Sequence, residues 1–319
     1  MSAGAGPLAR VGRVVCIVLL AVLTAVAACQ SKTQDPDGPT VEEKLTEAGL
    51  RDENRPAKLR IGVYDWQPLL GYVADGRNEG FDIDVARYIA ANLGYVGDDK
   101  IEWVPIDNVA DRLKFLLQDK VDLVVASLSI TEERKRSIAF AGPYLVIEQS
   151  VMVPEELKSE ITTLQDLVDP RYKVCTSTAS TSEKLLAERR VPFVARNSDK
   201  ECFEGMQKGL YQAMSTDRSV LFGFQSEHED QFQVLDLKLA TASNPGVEEI
   251  GIGVSKKNPA LRELVDYYLY KSYAADRRGE VTAWRQSFAE HLSVLGALDQ
   301  PEPHDHPDLV DSDAKYPTR

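Results

Sequence analysis

Residues 80–93 read GFDIDVARYIAANL and predict an amphipathic helix that lies between two strands. Apolar residues recur at steps of four from Phe81 to Leu93, so they share one face of the helix. Short apolar runs at 59–63 and 101–104, on either side of this helix, are typical of strands. The strand–helix–strand order therefore predicts a parallel α/β unit with a right-handed crossover.

The same alternation continues along the chain and predicts an α/β fold with largely parallel sheets. A helix at 109–118 and a buried strand at 121–126 complete the first unit. A strand at 145–153 follows without a long helix before it, as expected where a chain leaves one sheet for another. A second unit has strands at 173–176, 191–195 and 211–216 and helices at 182–189 and 198–208. A strand at 250–254 and helices at 259–274 and 280–292 then close the fold.

Composition excludes several classes of function. The chain has 319 residues, of which 43% are hydrophobic and 27% charged, and this favours one or two globular domains over general disorder. A net charge of -13 argues against a nucleic-acid partner, which needs a concentrated basic face. The histidines and cysteines lack the spacing of a zinc site, and there is no nucleophile elbow or phosphate loop. We therefore expect no metal, no cofactor and no catalytic residues.

The first residues predict export and a lipid anchor. Residues 1–28 combine two arginines with an apolar run at 14–23 that is short for a membrane span, which is typical of a signal peptide. The sequence VAAC at 26–29 resembles a bacterial lipobox, which implies cleavage before Cys29 and acylation of its thiol, as by palmitate. The mature protein would then sit on the extracellular face of the cell membrane. The alternative is an ordinary secretory signal that ends near Ala28.

Two polar segments flank the α/β region. Residues 29–57 predict a flexible tether, within which 41–50 favours a short helix. Residues 297–319 are acidic and rich in proline, and they predict a loose tail.

The cysteines that remain after export are Cys175 and Cys202, because Cys16 leaves with the signal peptide and Cys29 carries lipid. An oxidising compartment favours a disulfide between them. Two buried free thiols are the alternative.

Beyond residues 80–93, three further motifs carry a resemblance to a known family. These are KVDL at 120–123, SLSITEER at 127–134 and FAGPY at 140–144. Together they resemble the amino-acid-binding solute-binding proteins of ABC importers, family 3 type, over residues 58–296. The sequences around the two cysteines are most similar to those of actinobacterial glutamate- and glutamine-binding lipoproteins.

The resemblance implies a periplasmic-binding-protein-like fold of type II, in which two α/β lobes are joined by two crossover strands. Lobe 1 would comprise residues 58–144 plus 240–296, and lobe 2 residues 145–239. A hinge between the lobes would close on the ligand.

Arg134 is the main candidate for ligand binding. Thr131 is expected to cap a short helix, which places Arg134 one turn in, at the carboxyl end of the preceding strand, where ligands bind in open α/β sheets. Its planar guanidinium can form two parallel hydrogen bonds with an α-carboxylate, and the resemblance assigns it that role. The resemblance adds the Ser127 backbone and the Ser129 side chain. The alternative is a surface arginine among basic neighbours.

Lobe 2 supplies the remaining expected contacts. The resemblance matches Asp217 to the aspartate that binds the ligand's amine, although an aspartate paired locally with Arg218 is the alternative. Thr178 and Ser180 occupy the matching loop before a helix, where they could also be ordinary caps. In lobe 1, Trp66 either stacks on the ligand or packs on its own lobe.

The sequence therefore predicts a monomeric binding protein that captures glutamate, glutamine, aspartate or asparagine and delivers it to an ABC permease and ATPase. A sensor module of the same fold without transport is the alternative. Enzymes of related fold are a further class, but no acid/base pair supports one. An anionic ligand would need an additional cation, for which Arg77, Arg196 and Arg218 are candidates.

Overall fold

The computed structural model describes residues 1, 38–51, 55–237, 239 and 246–311. The predicted signal peptide beyond Met1, the predicted acylation site Cys29 and the last eight residues lie outside this part of the chain. None of the helices in the described residues is both long enough and apolar enough to span a membrane.

Twelve strands and nine α-helices account for the architecture of the described residues. The strands are β1 Leu59–Val63, β2 Trp66–Gln67, β3 Gly71–Ala74, β4 Arg77–Glu79, β5 Ile101–Pro105, β6 Leu123–Ser129, β7 Ala139–Pro154, β8 Val174–Ser177, β9 Phe193–Arg196, β10 Ala213–Asp217, β11 Phe232–Val234 and β12 Val247–Val254. The helices are α1 Val41–Glu47, α2 Phe81–Asn92, α3 Asp111–Leu117, α4 Glu132–Lys135, α5 Thr181–Glu188, α6 Asp199–Gln207, α7 Arg218–Ser226, α8 Pro259–Arg277 and α9 Ala283–His291.

The strands pair in the order β5-β1-β6-β12-β7-β10-β8-β9, with β11 also on β7. The 16-residue strand β7 pairs with β12 as far as Glu148 and with β10 from Gln149 onward. We call the part up to Glu148, with β12, β6, β1 and β5, the first lobe, and the part from Gln149 onward, with β10, β11, β8 and β9, the second lobe. This is the type II periplasmic-binding-protein fold that the resemblance implied.

The nine-stranded sheet is mixed in both lobes rather than largely parallel, and β2, β3 and β4 form a separate antiparallel sheet. Strands β1, β5 and β6 are parallel in the first lobe, as are β8, β9 and β10 in the second. Strand β12 runs antiparallel to both β6 and β7, because it returns from the second lobe. The predicted return at residue 240 lies outside the described residues, and the predicted lobe boundaries themselves stay predictions.

Helix α2 forms as its sequence pattern predicts. Phe81, Ile89 and their apolar neighbours are buried, and the Phe81 ring meets the Trp284 ring edge-on at 5.8 Å. The helix begins after Gly80, whose φ of +117° is a conformation that favours glycine. A Cβ there would lie 2.4 Å from the carbonyl oxygen of Leu70, so no other residue fits.

The predicted disulfide joins Cys175 on β8 to Cys202 on α6, with 5.5 Å between their Cα atoms. Both residues are fully buried. The bond therefore fixes helix α6 against the sheet of the second lobe.

The segments predicted to be a tether and a loose tail are packed where the structure describes them. Helix α1 begins with a capping box between Thr40 and Glu43, and it buries Leu45 against α8. In the tail, Leu309 and Gln300 are buried, and Val310 pairs with Thr40. The short helix predicted within 41–50 thus forms, and the described parts of both segments pack on the core, because scattered apolar and amide side chains reach it despite the polar composition around them.

Candidate functional site

A polar cavity lies between the two lobes, beside the carboxyl ends of β6 and β10. Its lining residues are Tyr64, Gln67, Val109, Arg112, Ser127, Ser129 and Arg134 from the first lobe and Ser180, Thr181, Ser182, Asp199, Thr216, Asp217 and Val220 from the second. The cavity volume is about 20 Å³, which is room for about one water molecule. The lobes are therefore closed on one another in this structure.

Arg134 points into the cavity rather than out to solvent. Thr131 caps helix α4, as the sequence predicts, by accepting a hydrogen bond from the Arg134 backbone N–H. The Arg134 side chain is buried, with Nη1 donating to the Ser129 carbonyl at 2.8 Å and Nη2 donating to the Ala179 carbonyl at 3.0 Å. Burial, and secondarily the charge of Arg112, lowers the pKa of Arg134 to about 10, so it stays charged at neutral pH. The surface-arginine alternative is thus excluded.

Asp217 ends strand β10 and is also buried at the cavity. Its carboxylate has no hydrogen bond and no cation within 4 Å among the described residues. Arg218, the local partner considered from the sequence, pairs with Asp236 at 3.2 Å instead. Burial raises the pKa of Asp217 well above its ordinary value, and the nearby carboxylates of Glu248 and Asp199 raise it further.

The structure brings together five of the seven predicted ligand residues. Ser127, Ser129, Arg134, Ser180 and Asp217 all line the cavity. Ser180 also caps helix α5 by accepting a hydrogen bond from the Glu183 N–H at 2.9 Å.

The other two predicted ligand residues, Trp66 and Thr178, lie elsewhere. The Trp66 Nε1 donates to the Ile106 carbonyl at 3.0 Å, and its ring lies 4.5 Å from that of Tyr64, so the indole packs on its own lobe. Thr178 is exposed, and its backbone N–H donates to the Arg196 carbonyl at 2.7 Å.

Arg112 is the most informative residue that sequence reasoning missed. It is 5% exposed, on helix α3, and it donates to the carbonyls of Val109, Ala126 and Ser127 at 3.0, 3.0 and 2.6 Å. Its Nη2 donates to no acceptor in the described part of the chain, and the residue lines the cavity. Backbone carbonyls thus hold the guanidinium from behind, and two N–H groups remain for a ligand.

The three cations proposed from the sequence do not reach the cavity. Arg77 is exposed and pairs with Glu79 at 3.5 Å, and Arg196 donates to the Tyr211 hydroxyl at 2.7 Å. Arg218 is engaged by Asp236. Nor do three or more His, Cys, Asp or Glu side chains cluster as metal ligands in the described ranges.

Asp82 supports the cavity from behind. Its carboxylate accepts hydrogen bonds from the Ser127 N–H at 2.7 Å, the Ser127 hydroxyl at 3.0 Å and the Tyr144 hydroxyl at 2.8 Å. These bonds hold Ser127 in a left-handed conformation, with φ of 45°, that a serine rarely adopts. Burial raises the pKa of Asp82 to about 6. Asp82, in the motif at residues 80–93, therefore has a structural role: it holds Ser127 in place at the cavity wall.

Comparisons with known proteins agree with this geometry. The model of the bacterial extracellular solute-binding proteins, family 3, matches residues 59–283. The glutamate-binding protein GluB of Corynebacterium efficiens is 30% identical over 236 residues, covering 71% of this chain and 78% of its own. The ABC transporter glutamine-binding protein GlnH of Bacillus subtilis is 29% identical, covering 83% of this chain and 93% of its own.

Among solved structures, an ancestral arginine-binding protein bound to glutamine is similar, with a TM-score of 0.63 and 28% identity. The match covers 75% of this chain and 99% of that one. The relatives and structural neighbours are mostly binding proteins rather than enzymes.

Proposed function

Because the chain belongs to family 3 of the bacterial extracellular solute-binding proteins, we propose that it captures an acidic amino acid, glutamate or aspartate, for an ABC importer. One observation carries this proposal. The cavity is lined by two buried guanidinium groups, those of Arg134 and Arg112, and by two buried carboxylates, those of Asp217 and Asp199. Asp199 accepts a hydrogen bond from the Ser177 hydroxyl, whereas Asp217 accepts none, and none of the four groups has an ion-pair partner within the described residues.

Arg134, Arg112 and Asp217 complement an acidic amino acid, because the fourth charged group, Asp199, already has a hydrogen-bond donor in Ser177. Buried charges are normally paired, because removal from water is otherwise costly. An acidic amino acid has two carboxylates and one ammonium group, which matches two cations and one anion. A neutral amino acid such as glutamine would offer the second guanidinium a neutral oxygen in place of a carboxylate.

Closure of the lobes would assemble this set of charges around the ligand. The first lobe carries both arginines and the second carries Asp217, so neither lobe alone offers both signs. Direct contacts already join the lobes: Arg134 donates to the Ala179 carbonyl, and the Val109 N–H donates to the Asn197 carbonyl at 2.9 Å. A free amino acid exceeds the room for one water molecule, so entry requires the lobes to separate. Reclosure then excludes water and strengthens the charged contacts.

Calorimetry on Arg134→Ala tests the binding site. We expect an affinity loss of about tenfold or more, since a charge-assisted hydrogen bond contributes about 1.5–3 kcal/mol. Arg136→Ala is the matched control, because Arg136 lies two residues away and is exposed. Equal affinities for wild type and Arg134→Ala would refute the assignment.

A thermal-shift screen of the twenty amino acids tests the ligand class. A ligand that binds the folded state stabilises it by about 2.7 kcal/mol when present at about 100 times its Kd. We expect glutamate or aspartate to give the largest shift. A larger shift with glutamine or asparagine would overturn the acidic assignment but leave amino-acid binding intact.

We further propose delivery to a permease and ATPase from a lipid-anchored position, without enzymatic activity and as a monomer. The lipobox-like sequence at 26–29 supports the anchor. Cys29→Ser is expected to release the protein from the membrane fraction. Loss of amino-acid uptake on deletion of the protein would favour transport over a sensor role, whereas unchanged uptake would favour the sensor.

A further inference from the structure

Gln149 lies where strand β7 passes from one lobe to the other, and its side chain is held rigidly. The residue is 1% exposed. Its Nε2 donates to the Thr181 hydroxyl at 2.8 Å and to the Glu248 carboxylate at 2.9 Å. Both N–H groups of the amide are therefore satisfied, one by a residue that lines the cavity and one by the crossover strand β12.

The other end of the same amide has no partner. Gln149 Oε1 is buried and accepts no hydrogen bond within the part of the chain described. Reversal of the amide would place Oε1 against the Glu248 carboxylate, so the orientation is fixed by charge. Buried acceptors are rarely left unpaired, and one that is fixed beside a ligand cavity indicates a donor supplied by the ligand.

The groups around Gln149 identify the chemistry of that donor. Gln149 is directly opposite Asp217 in the antiparallel pair of β7 and β10, so the two side chains share one face of the sheet. The Glu248 carboxylate contacts Gln149 from the neighbouring strand. Two carboxylates therefore lie beside the Gln149 side chain, and together with its unpaired amide oxygen they are acceptors for a group with several N–H donors. An ammonium group has three.

We propose that Gln149 is a further ligand-recognition residue, whose Oε1 accepts a hydrogen bond from the ligand's α-ammonium group beside Asp217. This inference rests on the proposed amino-acid-binding function. A residue of the crossover strand β7 thus contacts the ligand directly, and the ammonium group is bound by Gln149 on β7 as well as by Asp217 on β10.

The experiment compares an amino acid with its analogue that lacks the α-ammonium group, in wild type and in Gln149→Leu. The amino acid is the tightest binder among the twenty, and for L-glutamate the analogue is glutarate. Calorimetry gives the ratio of the two Kd values for each protein. We expect Gln149→Leu to weaken the amino acid about tenfold or more and to leave the analogue nearly unchanged, so the ratio falls by a similar factor.

Gln300→Leu is the matched control, because Gln300 is also a buried glutamine, hydrogen-bonded to Ser272 and to the Leu269 carbonyl. It should leave the ratio unchanged. Equal weakening of amino acid and analogue by Gln149→Leu would overturn the inference, because it would indicate a purely structural role. A wild type that binds none of the twenty amino acids would overturn the proposed function as well. Thermal unfolding of each variant checks that it is folded.

Discussion

Under the proposed function, replacement of Arg112 by methionine should abolish the preference for glutamate over glutamine. The guanidinium is fixed by three backbone carbonyls and keeps the two N–H groups of Nη2 for the cavity. Arg134 is expected to take the α-carboxylate. Arg112 is then the cation available for the carboxylate of the ligand's side chain.

The size of the effect follows from the burial of Arg112. Two unit charges 4 Å apart attract by about 4 kcal/mol at an effective dielectric constant of about 20, before the cost of desolvation. Hydrogen bonds to charged groups contribute about 1.5–3 kcal/mol net. A loss of about 2–3 kcal/mol corresponds to a Kd for glutamate that is about 30 to 140 times higher. Glutamine offers a neutral oxygen, whose bond contributes about 0.5–1.5 kcal/mol, so its Kd should rise only about two- to tenfold.

Calorimetry with L-glutamate and L-glutamine on wild type, Arg112→Met and Arg112→Lys measures these changes. Lysine keeps the positive charge but lacks the planar, bidentate guanidinium, so the affinity of Arg112→Lys for glutamate should be intermediate. Removal of the guanidinium also leaves three carbonyls without their donor, and thermal unfolding shows how much stability is lost with it. Equal losses for glutamate and glutamine would refute the reasoning, because they would show that Arg112 only supports the backbone.

Three further predictions concern stability. Burial raises the pKa of Asp82 from 3.8 to about 6, so the folded state binds its proton more tightly than the unfolded state does. Ionisation of Asp82 therefore destabilises the fold: its contribution to the free energy of unfolding should fall by about 3 kcal/mol as the pH rises from about 4 to about 6. Urea titrations at several pH values should show that Asp82→Asn lacks this part of the pH dependence. Replacement of Cys175 and Cys202 by alanine opens a loop with a sequence separation of 27. The chain-entropy model predicts a loss of about 3.5 kcal/mol, and an unchanged urea midpoint would contradict it. Leu309→Ala should cost about 2 kcal/mol or more if the C-terminal segment packs as described, whereas exposed Val294→Ala should cost little. Equal melting temperatures for these two variants would contradict the packed tail.

Sequence patterns predicted the elements whose burial follows a simple period. Helix α2 and strand β1 were found because their apolar residues form a regular pattern. Arg134 was found because a capping threonine fixes the start of its helix and a strand end fixes its place. Local rules suffice where each residue's environment is set by its own element.

The same rules failed for Arg112 because two residues of helix α3 depart from the usual burial pattern. Arg112 is 5% exposed although it is charged, and Leu117 is 55% exposed although it is apolar. The acceptors that allow this burial include the carbonyls of Ala126 and Ser127 on β6, more than ten residues away. The spacing of apolar residues in α3 gives no indication of these acceptors. The packed tail escaped prediction for a related reason, since its anchors lie on α1 and α8.

The unpaired charges of the cavity also explain how a ligand would drive closure. In open lobes, water solvates Arg112, Arg134 and Asp217, whereas closure removes that water at a substantial cost. A ligand can shift such an equilibrium only by its difference in affinity for the two forms. An acidic amino acid supplies counter-charges to both lobes at once, and it does so fully only when they are closed. The charges that disfavour closure in the free protein are therefore the same charges that make closure depend on the correct ligand.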